Sequence, residues 1–156
     1  MSPSESALSA SETTLVRRMA SSDISSVLIV LKESPQASMW SEDSLLKVAS
    51  EGAAWIAERN GRVVGILIGQ SAADEFEILN LAVGPDFRRL GVATQLVNAT
   101  IEDARARGAH QTYLEVRASN EAGVAFYSRF GFRVCGRRAK YYRDPVENAV
   151  VMVLHK

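Results

Sequence analysis

Apolar positions recur along this chain with two different periods, and each change of period marks the start of a new element. Thr14 to Met19, TLVRRM, reads as a first strand. The run ISSVLIVLKES then places Ile24, Val27, Leu28 and Leu31 on one helical face, with Ser22 or Asp23 as the N-cap and Pro35 as the stop. A second short helix extends from Ser41 or Glu42 through Ala49, where the serine caps and Glu42 and Asp43 suit the positive end of the helix. Trp40, just before it, reads as a packing anchor or as the wall of a substrate groove. Ala53–Glu58 and Arg62–Gln70 are β-rich runs joined by Asn60-Gly61, a hairpin signal that makes them antiparallel neighbours.

Glu75–Val83 forms a fourth strand, broken by Gly84-Pro85-Asp86 before a helix that carries Leu96, Val97, Ile101 and Ala104 on one side and ends at Arg105, Arg107 and Gly108. Gln111–Val116 is the fifth strand; a strand, helix, strand connection implies that it lies parallel to the fourth. Asn120 caps a fourth helix, EAGVAFYSRF, closed by Gly131, and Phe132 to about Tyr142 pairs with Ala149–Leu154 around Arg143-Asp144-Pro145. The pattern predicts an α/β fold: a mixed sheet of six to seven strands flanked by four helices, antiparallel in its first half, with a parallel pair at strands four and five. A ligand belongs at the carboxyl ends of those two strands.

Composition narrows the class. The chain has 156 residues, 47% of them hydrophobic and 23% charged, which fits one soluble domain spanning 14–156 behind a serine-rich, disordered tail at 1–13. Eighteen basic residues balance eighteen acidic ones, so no global field favours nucleic acid or an anionic membrane. One cysteine and two histidines allow neither an internal disulfide nor a metal site of ordinary spacing, and Cys135 reads as a small packed hydrophobe. No stretch is long enough to span a membrane and the start of the chain lacks a secretory signal, so the expected location is the cytoplasm.

The candidate chemistry gathers at one end of the sheet. LAVGPDFRRLGVAT, Leu81 to Thr94, is a strand end, a basic turn and a helix N-terminus. Unpartnered amides at such a terminus bind anions, Gly91 permits close approach of the backbone, and Arg88 and Arg89 add cationic donors. Glu115 stands near the end of the fifth strand between Leu114 and Val116, an unusual place for a carboxylate. Tyr127 follows Gly123 by four residues, so the adjacent turn carries no side chain to crowd its ring. Arg137, Arg138, Lys140, Tyr141, Tyr142 and Arg143 mix charge with aromatic rings and read either as a peptide-holding surface or as a solvated hairpin.

These residues carry a resemblance. Arg88-x-x-Gly91-x-Ala93 resembles the pyrophosphate-binding motif of the GNAT superfamily of acetyl-CoA-dependent N-acetyltransferases. LEVRASN from Leu114 to Asn120, AFYSRFGF from Ala125 to Phe132, Tyr141-Tyr142 and Trp40-Ser41 resemble the bacterial ribosomal-protein alanine N-acetyltransferases over about residues 14 to 154. The resemblance implies a GNAT-type fold in which the parallel strands four and five are splayed, and acetyl-CoA as co-substrate, with no metal. It implies coenzyme contacts from Leu81, Ala82 and Val83, from Arg88, Arg89, Leu90, Gly91, Val92, Ala93 and Thr94, and from Asn120. Glu115 then corresponds to the proton acceptor and Tyr127 to the proton donor.

The implied acceptor is the N-terminal alanine amine of a protein, with a small-subunit ribosomal protein as the candidate. A small-molecule amine or a protein lysine is the alternative acceptor, and a non-catalytic coenzyme-A-binding module is the alternative of another class. Ala93 in place of a second glycine stays within the motif, whereas Arg129, Phe130 and Arg143 depart from the usual residues at their positions.

Overall fold

A computed structural model describes residues 13–34 and 40–155. The predicted tail and the predicted helix stop at Pro35 lie outside them. Seven strands and four helices follow one another as β1 (Thr14–Arg18), α1 (Ile24–Lys32), α2 (Glu42–Ser50), β2 (Ala54–Arg59), β3 (Arg62–Ala72), β4 (Glu75–Val83), α3 (Val92–Ala106), β5 (Gln111–Arg117), α4 (Glu121–Ser128), β6 (Arg133–Arg143) and β7 (Val146–His155). The sheet order is β1-β2-β3-β4-β5-β7-β6. The predicted mixed sheet is therefore present with seven strands, and the predicted parallel pair is β4 with β5, in register from Glu75↔Gln111 to Ile78↔Leu114.

The chain forms two compact units, Met1–Gly69 with Asn80–Glu102, and Gln70–Leu79 with Asp103–Lys156. In the first unit, β1, β2 and β3 make antiparallel ladders, and Asn60 and Gly61 take the left-handed conformations, φ 52° and 75°, that their hairpin turn requires. Met19, Ile24, Val27, Val30, Leu31, Leu45, Val48 and Ile56 are buried together, with Trp40 packed against them as an anchor. Asp23 stands at the start of α1, yet its carboxylate does not cap that helix. It accepts from Arg17 Nη1 at 2.8 Å and from Ala20 N–H at 2.7 Å, because the β1 arginine offers a charged partner that a helix amide cannot match. Ser41 does cap α2, accepting Ser44 N–H at 3.1 Å while Ser44 Oγ accepts Ser41 N–H at 3.0 Å. On β3, a Cβ at Gly65 would lie 3.1 Å from both Leu96 and Val92 of α3, so the glycine lets that helix sit close to the strand.

In the second unit, β5 alternates strictly: Thr112, Leu114 and Val116 are buried, while Gln111, Tyr113, Glu115 and Arg117 face a partly open side. β7 pairs antiparallel with β5 on one flank and with β6 on the other, which leaves β6 as an outer strand. Two register shifts interrupt β6. Between Val134↔Met152 and Gly136↔Val151 the extra residue is Cys135, and it is exposed rather than packed, because it is bulged out of a strand with a neighbour on one side alone. Between Arg138↔Ala149 and Tyr142↔Glu147, β6 advances four residues while β7 advances two.

Candidate active site

In the first unit the end of β4 leads into the basic turn. Ala82 is buried, Leu81 and Val83 are half-buried, and Gly84 N–H donates to Val64 O at 2.8 Å, tying the turn to β3. A single 3-10 turn, Pro85–Phe87, carries the chain to Arg88, whose Nε donates to Val83 O at 3.3 Å. Arg88 thus closes the turn onto the strand end as well as adding charge. Arg89 and Gly91 both adopt positive φ, 65° and 80°. The first helical hydrogen bond recorded at the start of α3 is Gln95 N–H to Gly91 O, 3.1 Å, so the amides of Val92, Ala93 and Thr94 lie in the first turn, where a helix offers donors without internal acceptors. Arg88, Arg89, Leu90, Gly91 and Thr94 are exposed, whereas the Val92 side chain is buried and has only its backbone to offer a ligand. This loop has the geometry in which a helix N-terminus offers amides to an anion. A cavity of about 380 Å³ in the same unit, bounded by Arg17, Glu58, Arg62 and Phe87, has none of Arg88–Thr94 in its lining.

In the second unit Glu115 projects from the open side of β5, opposite Val151 of β7. Its side chain is only 9% exposed, and Arg138 Nη1 of β6 lies 2.7 Å from Oε1. Among the described residues, Oε2 is buried and has no hydrogen-bond partner. Arg138 holds its proton more tightly than usual because of the bond to Glu115, and its guanidinium stands 4.7 Å from the centre of the Tyr141 ring. Tyr141 and Tyr142 meet edge to face at 5.1 Å, and Arg117 stacks 4.4 Å from the Tyr142 ring.

Burial dominates the titration of the groups around that carboxylate. It raises Glu77 of β4, with the charge of Glu115 adding to the effect and a hydrogen bond from Gln70 opposing it. Burial likewise raises Tyr113 and Tyr141, and it pushes Tyr142 up to about 12 with help from the Glu115 charge. The open side of this unit therefore gathers two carboxylates, phenols kept protonated and two arginines.

Asn120 caps α4 as expected, accepting Gly123 N–H at 2.9 Å. The space beside Gly123 is filled by the Asn120 amide, so the glycine serves the cap and not the Tyr127 ring. Tyr127 is 8% exposed and meets Phe126 and Phe132 edge to face at 5.1 and 5.6 Å. Burial alone raises its phenol, so the hydroxyl stays protonated throughout the physiological range.

Glu115, Asn120 and Tyr127 belong to the second unit and the basic turn to the first. The structure joins to Glu115 two residues that the sequence offered only as part of a mixed patch, Arg138 and Tyr141. The missing signal was register: two extra residues in β6 decide which side chains reach the carboxylate. Among the described residues no group of three or more His, Cys, Asp or Glu stands together as a metal site, and no helix is long and apolar enough to cross a membrane.

A parallel β4–β5 pair, a basic turn leading from β4 into a helix N-terminus and a carboxylate on β5 are the features that the acetyltransferase resemblance implies. Residues 21–132 match the model of the acetyltransferase (GNAT) family, and the chain belongs to that family. The resemblance carried by Arg88-x-x-Gly91-x-Ala93 is borne out at that level. More narrowly, the chain is similar to the ribosomal protein bS18-alanine N-acetyltransferase of Escherichia coli (strain K12), 38% identical over 98 residues, 62% of this chain and 66% of the relative. The match thus spans just under two thirds of that relative's length. The enzyme of the same name from Haemophilus ducreyi is 35% identical over 122 residues, 74% of this chain and 83% of the relative. The crystal structure of the Escherichia coli ribosomal-protein-S18-alanine N-acetyltransferase superposes with a TM-score of 0.82 at 29% identity, covering 92% of this chain and 94% of that one.

Proposed function

We propose that this chain moves an acetyl group from acetyl-CoA to the N-terminal alanine amine of a ribosomal protein in the cytoplasm, with residues 14–156 acting as one catalytic domain. The observation that carries this reading is the likeness, at 35–38% identity, to enzymes named for that reaction. On this chain the first-turn amides of α3 and the exposed Arg88 and Arg89 would hold the coenzyme's pyrophosphate, and Leu81–Val83, which lie beyond the four β4–β5 register pairs, would offer backbone to its pantetheine arm. Asn120, whose Oδ1 already caps α4, would contribute through its remaining polar groups.

A protein N-terminal amine has a pKa of about 7.7–8.0 and is mostly protonated at neutral pH, so it must lose a proton before it can attack a thioester. Glu115 takes that proton, directly or through a water. The amine nitrogen then bonds to the acetyl carbonyl carbon, and a backbone N–H near Val83 steadies the negative oxygen. The oxyanion collapses, the carbon–sulfur bond breaks as Tyr127 gives its proton to the departing thiolate, and the nitrogen's second proton passes to solvent, which restores the Tyr127 phenol. No nucleic acid or membrane enters this scheme.

The test is thiol release from acetyl-CoA with short peptides of different N-termini, a panel of small amines and a lysine peptide. Ala-initiated peptides are expected to turn over, and Glu115→Gln to lower kcat about 10²- to 10⁴-fold with acetyl-CoA binding nearly intact. Release with small amines or lysine alone would move the acceptor, and the absence of release with every amine would leave a coenzyme-binding module.

A further inference from the structure

The Glu115 carboxylate is closed on both sides. Oε1 is held by Arg138 at 2.7 Å, and Oε2 is buried without a hydrogen-bond partner among the described residues. With Oε2 buried and Oε1 engaged, an acceptor amine that bonds to Glu115 competes with Arg138 for Oε1. Three features make displacement easy. The Arg138 side chain is 55% exposed, and ion pairs so open to water are weak. It stands on β6, the outer strand, at the edge of the two-residue register shift that ends at Tyr142. The face of Tyr141, 4.7 Å away, gives the guanidinium a second place to rest once the carboxylate lets it go.

The replacement is defined by the same chemistry. Glu115 is 9% exposed and has Glu77 as a like-charged neighbour, so whatever takes the place of Arg138 has to be a cation that donates hydrogen bonds. An α-ammonium is small, carries one positive charge and has three N–H donors to present to Oε1. A neutral, already acylated N-terminus has no charge and a single N–H donor.

We propose that Arg138 is a stand-in for the acceptor: it holds the Glu115 carboxylate until a free N-terminal ammonium displaces it, and by this competition it sets acceptor affinity and selects for a charged amine. The inference rests on the reading of Glu115 as the group that meets the acceptor amine. Arg138 acts through Glu115 and is a specificity residue, not a proton carrier. Lys140 and Arg143, on the same strand, share its charge but have no recorded ion pair with Glu115.

The test measures binding of a short Ala-initiated peptide, and of its N-acetylated counterpart, to the full chain saturated with coenzyme A. Arg138→Gln is expected to bind the free-amine peptide about two- to sixfold more tightly, the factor that corresponds to losing a weak competing ion pair. Arg138→Lys retains the cation and is expected to stay close to wild type. The N-acetylated peptide is expected to bind all three proteins alike, and Arg138→Gln is expected to have no effect on either peptide in a Glu115→Gln background.

Unchanged or weaker binding of the free-amine peptide by Arg138→Gln overturns the proposal, as does equal tightening of the N-acetylated peptide. Wild-type turnover in Glu115→Gln would instead remove the base assignment. The two failures are separable, since one is read from peptide binding and the other from catalysis.

Discussion

Asn120 and Gly123 are fitted to each other: Asn120 Oδ1 accepts the Gly123 N–H at 2.9 Å, and a Cβ at position 123 would lie 2.5 Å from Asn120 Nδ2. Real Cβ atoms are not found that close, so the glycine is a condition of the cap. Gly123→Ala is expected to lower unfolding free energy by about 1–3 kcal/mol through overpacking, and Asn120→Ala by about 0.5–2 kcal/mol through loss of the cap. The two effects are coupled. In an Asn120→Ala background, Gly123→Ala is expected to become stabilising by up to about 1 kcal/mol, because alanine is the better helix former once the amide is gone. Denaturant unfolding of the four proteins checks this, and additive losses would contradict it.

Arg17, Asp23 and Glu58 form a charged cluster beneath α1, with Arg17 3.3 Å from Glu58 and 2.8 Å from Asp23. The bond from Arg17 is the main reason the Asp23 carboxyl lies below its ordinary value, and the Ala20 amide adds to it. A carboxyl lowered on folding contributes stability that is complete above its unfolded pKa of about 3.9 and is lost as pH falls through the folded value. Asp23→Asn is expected to cost about 1–3 kcal/mol at pH 7, less than a fully buried pair because over a third of Arg17 is exposed. The gap between the two proteins should close as unfolding is followed from pH 5 downward.

Gly91 sits at φ +80° with nothing within 4 Å of a Cβ placed there, so strain in the backbone is the sole penalty for a larger residue. Gly91→Ala is expected to cost about 1–2 kcal/mol of stability, or to let the loop relax and raise the KM for acetyl-CoA with little change in kcat. Unfolding and steady-state kinetics on the same preparation distinguish the two forms of the loss. A protein unchanged in both would show that the left-handed turn is unimportant.

Tyr127 is buried among Phe126 and Phe132 and keeps its proton at neutral pH, so a proton is there to be given. Tyr127→Phe keeps the ring and removes the proton. Its kcat is expected to fall about 10²- to 10⁴-fold with acetyl-CoA and to recover partly with acetyl thioesters of more acidic thiols, which leave without help. An equal defect with every thioester would exclude the donor role.

The elements were legible because burial in this fold follows the local period. β5 buries Thr112, Leu114 and Val116 in alternation, α3 buries Leu96, Val97, Ile101 and Ala104, and Asn60-Gly61 makes the turn its dipeptide demands. The strand, turn and helix from Leu81 to Thr94 were legible for a related reason: they are contiguous in the chain. What local reading missed depends on partners distant in sequence. Asp23 bonds back to Arg17 across the β1–α1 connection, Cys135 is bulged out of its ladder, and Glu115 meets Arg138 across 23 positions and an intervening strand. Each outcome turns on register, which side-chain periodicity does not encode.

The irregular stretch of β6 has a consequence for how such an enzyme can change over time. Lys140 adopts a left-handed conformation, φ 52°, and its N–H donates to Asn148 Oδ1 at 3.0 Å, so the surplus residues are accommodated within the hairpin. An outer strand has a single ladder to disturb, and the turn that follows β4 is built from other segments of the chain. Lengthening or shortening β6 by a residue would re-aim Arg138 and Tyr141 without touching the turn after β4, so the partners of Glu115 can vary with strand length alone.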